Sequence, residues 1–165
     1  MRMSFTVLIL LFTLILSACT SNDRDLDDAI KVAKEYKTIE YKADQPGPNA
    51  EISIEDIQAK QEAVKPLTTT VFYDQNVITR TYQNGFLIAN YKQSKVEMND
   101  LELTKKIQTD QEIELSYTGT LTFGNEHIDL HGDITMVKDT DTWKVNKDVY
   151  NFEEIVHILD EIISK

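Results

Sequence analysis

Apolar residues recur along this chain with two periods, and the change from one to the other divides it. From about Asp25, residues Leu26, Ala29, Ile30, Ala33 and Tyr36 or Lys37 fall three and four apart, on one stripe of a helix running to about Tyr41. Asp25, Asp27 and Asp28 precede Lys31, Lys34 and Lys37, an order that suits the helix dipole and i to i+4 pairing. Pro46, Gly47 and Pro48 make residues 43 to 49 a loop. Ser53 and Asp56 have the spacing of a capping box, and Ile54, Ile57 and Val64 define a second helix over 54 to 64 that Pro66 stops. Between 67 and 84 the β-branched content permits a strand. The expectation there is a third helix, capped within Thr68 to Thr70, carrying Val71, Phe72, Gln75 and Ile78, and ended by Asn84-Gly85.

From Phe86 onward the expected period is two. Val96 and Met98 alternate, Asn99-Asp100 interrupts, and Leu101 and Leu103 resume in the opposite phase, as at a bulge or sharp bend. Ile113, Leu115, Tyr117, Gly119, Leu121 and Phe123 then alternate with polar residues, and so do Ile128, Leu130, Gly132, Ile134 and Met136, giving two strands with one dry face each. A two-residue turn at Gly124-Asn125 would pair Tyr117 with Gly132 and Gly119 with Leu130; a four-residue loop would pair Gly119 with Gly132 instead. Either way, mid-strand glycines predict a sheet that bends. A turn at Asp139-Thr140-Asp141 returns the chain through Trp143 and Val145. Asn151 and Glu154 then cap a closing amphipathic helix over about 152 to 163, with Phe152, Ile155, Val156, Leu159, Ile162 and Ile163 on its apolar stripe.

The start of the chain changes the picture. Residues 5 to 16 carry no charge and are too few for a stable span, which needs about 20 apolar residues. They are followed by Leu16-Ser17-Ala18-Cys19, which resembles the lipobox of bacterial lipoproteins. That resemblance implies cleavage after Ala18, a diacylglyceryl group on the Cys19 thiol, and residues 1 to 18 as a signal peptide. Cys19 is the chain's only cysteine, so lipidation accounts for a thiol that would otherwise stand alone in an exported protein. Residues 19 to 25 then read as lipidated cysteine and tether, and 26 to 165 as one domain. The chain carries 17 basic and 28 acidic side chains; loss of the signal removes one Arg and no acid, so the net charge goes from −11 to −12. Such a balance repels nucleic acid.

The expected class is α+β, with N-terminal helices packed on a curved antiparallel sheet and a closing C-terminal helix. This order of elements, with the Trp143-Lys144-Val145 ending, resembles small envelope lipoproteins with an NTF2-like or cystatin-like domain, whose simplest version lacks the last helix.

Candidate chemistry centres on His127, Asp129, His131 and Asp133, which share parity on the wet face of one strand, about 7 Å apart in sequence order. Imidazole and carboxylate at that spacing suit Zn²⁺ or Cu²⁺, with Glu114 or Ser116 completing a site, and the same residues would form a pH-sensitive patch. His157 lies four residues from both Glu153 and Glu161 and is expected to be exposed and ion-paired. Trp143, Tyr117 and Phe123 are core candidates or a ligand-lining aromatic set. No nucleophile motif, phosphate loop or dinucleotide fingerprint is present, and no cofactor is expected. Every strand Asp, Glu and His read by alternation falls in the polar register, leaving helix residues such as Tyr36, Tyr73 or Asp74 to reach any cavity.

The expectation is a noncatalytic, lipid-anchored module on the extracytoplasmic face of the cell membrane, holding an envelope protein partner or small ligand. The alternatives are an NTF2-like small-molecule binder or enzyme using the concave sheet face, and a lipoprotein that blocks a toxin or bacteriophage.

Overall fold

The computed structural model describes residues 23–48 and 50–164. The signal stretch, Cys19 and the first part of the tether lie outside these residues. The elements are α1 (23–41), α2 (Ile54–Val64), α3 (Thr70–Ile78), α4 (Asn84–Lys92), β1 (Val96–Gln108), β2 (Glu112–Phe123), β3 (Glu126–Asp139), β4 (Thr142–Tyr150) and α5 (Glu153–Ile163). The four strands form one curved antiparallel sheet in chain order, following the helices, so the fold is α+β.

The first two helices follow their periodicity. Ala29, Ala33, Tyr36 and Tyr41 of α1 join one core with Ile113, Leu115, Leu121, Ile134, Met136 and Val145 of the sheet. Helix α1 includes residues 23 to 25 of the expected tether, and Asp25 ties that end of it to the sheet, accepting from Lys138 Nζ at 2.8 Å and from Trp143 Nε1 at 3.4 Å. The Ser53 hydroxyl caps α2 by accepting from Asp56 N.

Asn84-Gly85 was expected to end the third helix, but it opens a fourth. Helix α3 closes at Ile78, and after a short turn the run Phe86 to Ala89 is helical, so the period of two begins at Val96 and not at Phe86. Four consecutive apolar residues have no readable period. Gly85 serves close approach: a Cβ there would stand 2.1 Å from the carbonyl oxygen of Tyr41, so the end of α1 lies directly on α4.

The sheet follows the expected register closely. β1 shifts register between Asn99 and Glu102, where Asp100 has φ 50°, and Leu101 and Leu103 change phase as the interruption implied. The β2–β3 turn has two residues, with Gly124 at φ 65°, Tyr117 opposite Gly132 and Gly119 opposite Leu130. β4 carries a feature that simple alternation misses. Val145 pairs with Met136 and Lys147 with Thr135, so Asn146 is an extra residue that reverses the strand's parity.

Asn151 does not cap α5. Its side chain accepts from His131 N and donates to Asp129 O, each at 2.8 Å, which extends the β3–β4 pairing, and α5 begins without a side-chain cap. On its stripe Ile155 is fully buried, whereas Ile163 is exposed.

Candidate functional site

The bulge at Asn146 builds the site. Trp143 and Val145 point into the core, and continued alternation would send 147 and 149 inward. The extra residue turns Asp148 and Tyr150 inward instead and leaves Val149 more than half exposed. Asp148 thereby faces the inner side of α1, where Tyr36, Lys37, Glu40 and Tyr41 lie on one broad face at helical spacing.

Lys37 is the centre of this contact. Its ammonium donates to Glu40 Oε2 at 2.6 Å and to Asp148 Oδ2 at 2.8 Å, and neither Lys37 nor Glu40 is more than 1% exposed. The ring centroids of Tyr150 and Tyr117 lie 4.2 and 4.8 Å from its Nζ, with Tyr41 and Tyr36 at 5.7 and 6.0 Å, so the charge is also held by aromatic faces. Tyrosine hydroxyls reach the other oxygen of each carboxylate. Tyr117 donates to Asp148 Oδ1 at 3.2 Å, Tyr36 to Glu40 Oε1 at 3.3 Å, and Tyr41 and Tyr150 bond to each other.

Electrostatics follow from this arrangement. Burial opposes the Lys37 charge, but Asp148 and Glu40 outweigh it and hold the ammonium protonated well above the usual lysine range. Glu40 is raised by burial, which the pull of Lys37 does not fully offset and which Asp148 reinforces. Burial also raises the hydroxyls of Tyr36, Tyr41, Tyr117 and Tyr150, so all four are neutral donors.

A cleft of about 300 Å³ opens onto this cluster. Tyr36, Glu40, Asp148 and Tyr150 form its floor, and Phe72 and Asn76 of α3, with Thr81 and Phe152, form its sides. It is at the small end of ligand-binding cavities.

The other candidate residues lie elsewhere. His127, Asp129, His131 and Asp133 share the outer face of β3, as parity required, but Asp133 is paired with Lys106 at 2.9 Å and Asp129 accepts from Thr120 at 3.4 Å. Lys106 also bonds Glu114 at 2.6 Å, so the proposed completing carboxylate belongs to a lysine-centred surface network. Among the described residues, no three His, Cys, Asp or Glu side chains gather in a geometry that could hold a metal ion. His157 is exposed and stands 3.4 Å from Glu161. Trp143 and Phe123 are buried in the core, while Tyr117 contributes its hydroxyl to the cluster. Of the helix residues named for a cavity, Tyr36 reaches one; the Tyr73 ring packs 6.1 Å from that of Tyr82, and Asp74 is exposed.

Sequence reasoning missed Lys37, Glu40, Asp148 and Tyr150 as a set. The available signal was the run Asn146-Lys147-Asp148, three consecutive polar residues that break the alternation after Val145. Compared with protein-family models and with curated proteins, the chain matches none. Among the described residues, no helix is long and apolar enough to cross a membrane.

Proposed function

We propose that this chain is a lipid-anchored protein of the extracytoplasmic face of the cell membrane that binds a small ligand in the cleft over Lys37, Glu40 and Asp148, without catalysis. One observation carries the binding reading: a buried floor with two carboxylates against one ammonium, set between the aromatic rings of Tyr36, Phe72, Tyr150 and Phe152. That floor has an excess of acceptors. It suits a compact ligand that offers amine or hydroxyl donors at one end and apolar surface to the rings. A general acid or base needs a group poised near the working pH and free to exchange its proton. Here the ammonium is held between both carboxylates, the tyrosine hydroxyls are raised, and the raised Glu40 carboxyl is tied to Lys37 and Tyr36, which favours binding over turnover.

The anchor rests on Leu16-Ser17-Ala18-Cys19 and the lone cysteine. Cys19→Ser is expected to abolish labelling by radioactive fatty acid and to leave an uncleaved precursor or release the protein from the membrane fraction. Unchanged labelling would remove the lipoprotein part of the reading.

The cleft is tested by native mass spectrometry of the full-length protein in detergent, after exposure to an extract of the host envelope. The expected result is a small-mass adduct on the parent that Asn76→Trp, which fills the cleft from the half-buried side of α3, reduces by about tenfold or more (about 1.4 kcal/mol) without lowering the melting temperature. A protein-sized adduct in its place would favour an interaction module. An adduct indifferent to Asn76→Trp would remove the cleft.

A further inference from the structure

A second pocket, of about 430 Å³, lies on the other side of Glu40, between α2, α4 and the loop after α1. Lys60 of α2 lines it and is only 6% exposed. Its Nζ donates to the main-chain oxygen of Glu40 at 3.2 Å and lies 4.0 Å from the centroid of the Phe86 ring. Unlike Lys37, it makes no ion pair among the described residues. Asp44, Glu51 and Asp56 line the same pocket from exposed positions, with Lys42, and none of the three carboxylates bridges to it. Ile39, Ile52, Ala59 and Phe86 add apolar surface.

A buried amine with one neutral acceptor and no ion pair gives up its proton more easily than an exposed lysine. The surrounding carboxylates and the chain's charge of −11 turn anions away, leaving neutral electrophiles as the reactive species able to enter. We infer that this pocket captures a small neutral carbonyl compound, an aldehyde or ketone with an apolar tail, as a reversible imine on Lys60. The amine nitrogen adds to the carbonyl carbon, both of its protons leave with the carbonyl oxygen as water, and a C=N bond remains. In agreement with this geometry, burial lowers Lys60 from the usual 10.5 to about 8, against a weaker opposing effect of Glu40. At pH 7 roughly one Lys60 in ten is then neutral, against fewer than about one in a thousand at the usual lysine value. Imine capture here does not require the Lys37 cleft to bind a ligand, and either can fail without the other.

The test exposes the full-length protein to trace benzaldehyde with cyanoborohydride, which reduces the imine to a stable secondary amine, and maps the modified lysines by peptide mass spectrometry. Lys60 should be labelled about tenfold faster than the exposed Lys31 and Lys34 at pH 7, and that ratio should fall as the pH rises above about 8. Ala59→Trp, at an exposed position on the pocket wall, should slow benzaldehyde at Lys60 by about fivefold or more (about 1 kcal/mol) and leave formaldehyde labelling unchanged. Labelling no faster than at Lys31 and Lys34, a ratio to those two lysines unchanged up to pH 10, or a benzaldehyde rate indifferent to Ala59→Trp would each overturn the proposal.

Discussion

Lys37→Met is expected to destabilise the domain by about 3–5 kcal/mol, the largest effect of any single side-chain removal in the cluster. The methionine fills nearly the same volume, so the loss is electrostatic. Glu40 and Asp148 would face each other without the ammonium that both now contact, at 2.6 and 2.8 Å, in a site with almost no access to water. The sign of the pH dependence follows. Glu40 is already raised by burial, and without Lys37 it loses the charge that pulls it back. A carboxyl raised in the folded state contributes stability that is present below its unfolded value, near 4.5, and lost as the pH rises through its folded value. The deficit of Lys37→Met should therefore be widest at neutral pH and narrow on acidification toward 4.5. Adding Glu40→Gln and Asp148→Asn should recover most of the loss, since the buried charge is then gone entirely. Urea unfolding of the three chains at pH 7 and pH 5 measures both effects. A Lys37→Met variant as stable as the parent, or a triple variant no better than the single one, would show that the cluster is not a buried charge network.

Gly132→Val is expected to cost about 3 kcal/mol, at the upper end for forcing extra atoms into packed space. A Cβ at Gly132 would stand 2.3 Å from the carbonyl oxygen of Val149 and 2.6 Å from Tyr150 Cβ. Because one obstacle is backbone, rotamer changes alone give no relief. Gly132 lies opposite Tyr150 on β4, the residue that the Asn146 bulge turns inward, so the missing side chain of one strand makes room for the ring of the next. Displacing Tyr150 would also separate it from Tyr41 and loosen the floor of the cleft. Thermal unfolding with hydrogen exchange across residues 147 to 150 would show a lowered midpoint and faster exchange there. An unaltered midpoint would contradict the close contact between the strands.

What the sequence made legible tracks how local each signal is. The β2–β3 hairpin was readable because strict alternation and a two-residue turn fix the register without help from the rest of the chain. The phase change at Asn99-Asp100 was readable for the same reason. Helix α4 was not, since Phe86 to Ala89 is uniformly apolar and Gly85 owes its place to the backbone of Tyr41, more than forty residues earlier. The cluster was hidden by two further effects. Lys37 looked like one of several alternating charges on α1, and its burial depends on Asp148 arriving from the far end of the sheet. Asp148 sits in the polar register until the bulge is counted, and Asn151, which has the spacing of a cap, bonds β3 instead.

The outer strands bear on how copies of this protein behave when crowded. The free edge of β4 is covered where Thr68 bridges Val145 and Thr69 N donates to Val145 O at 2.9 Å. On β1, Ala43 bridges only Val96, and the rest of the edge is broken by two register shifts and by the left-handed Asp100, with Lys105 and Lys106 exposed beyond. A neighbouring strand would find neither a straight row of amides nor a neutral surface to lie along. Both edges are therefore poor templates for zipping neighbouring copies into a continuous sheet at high local density.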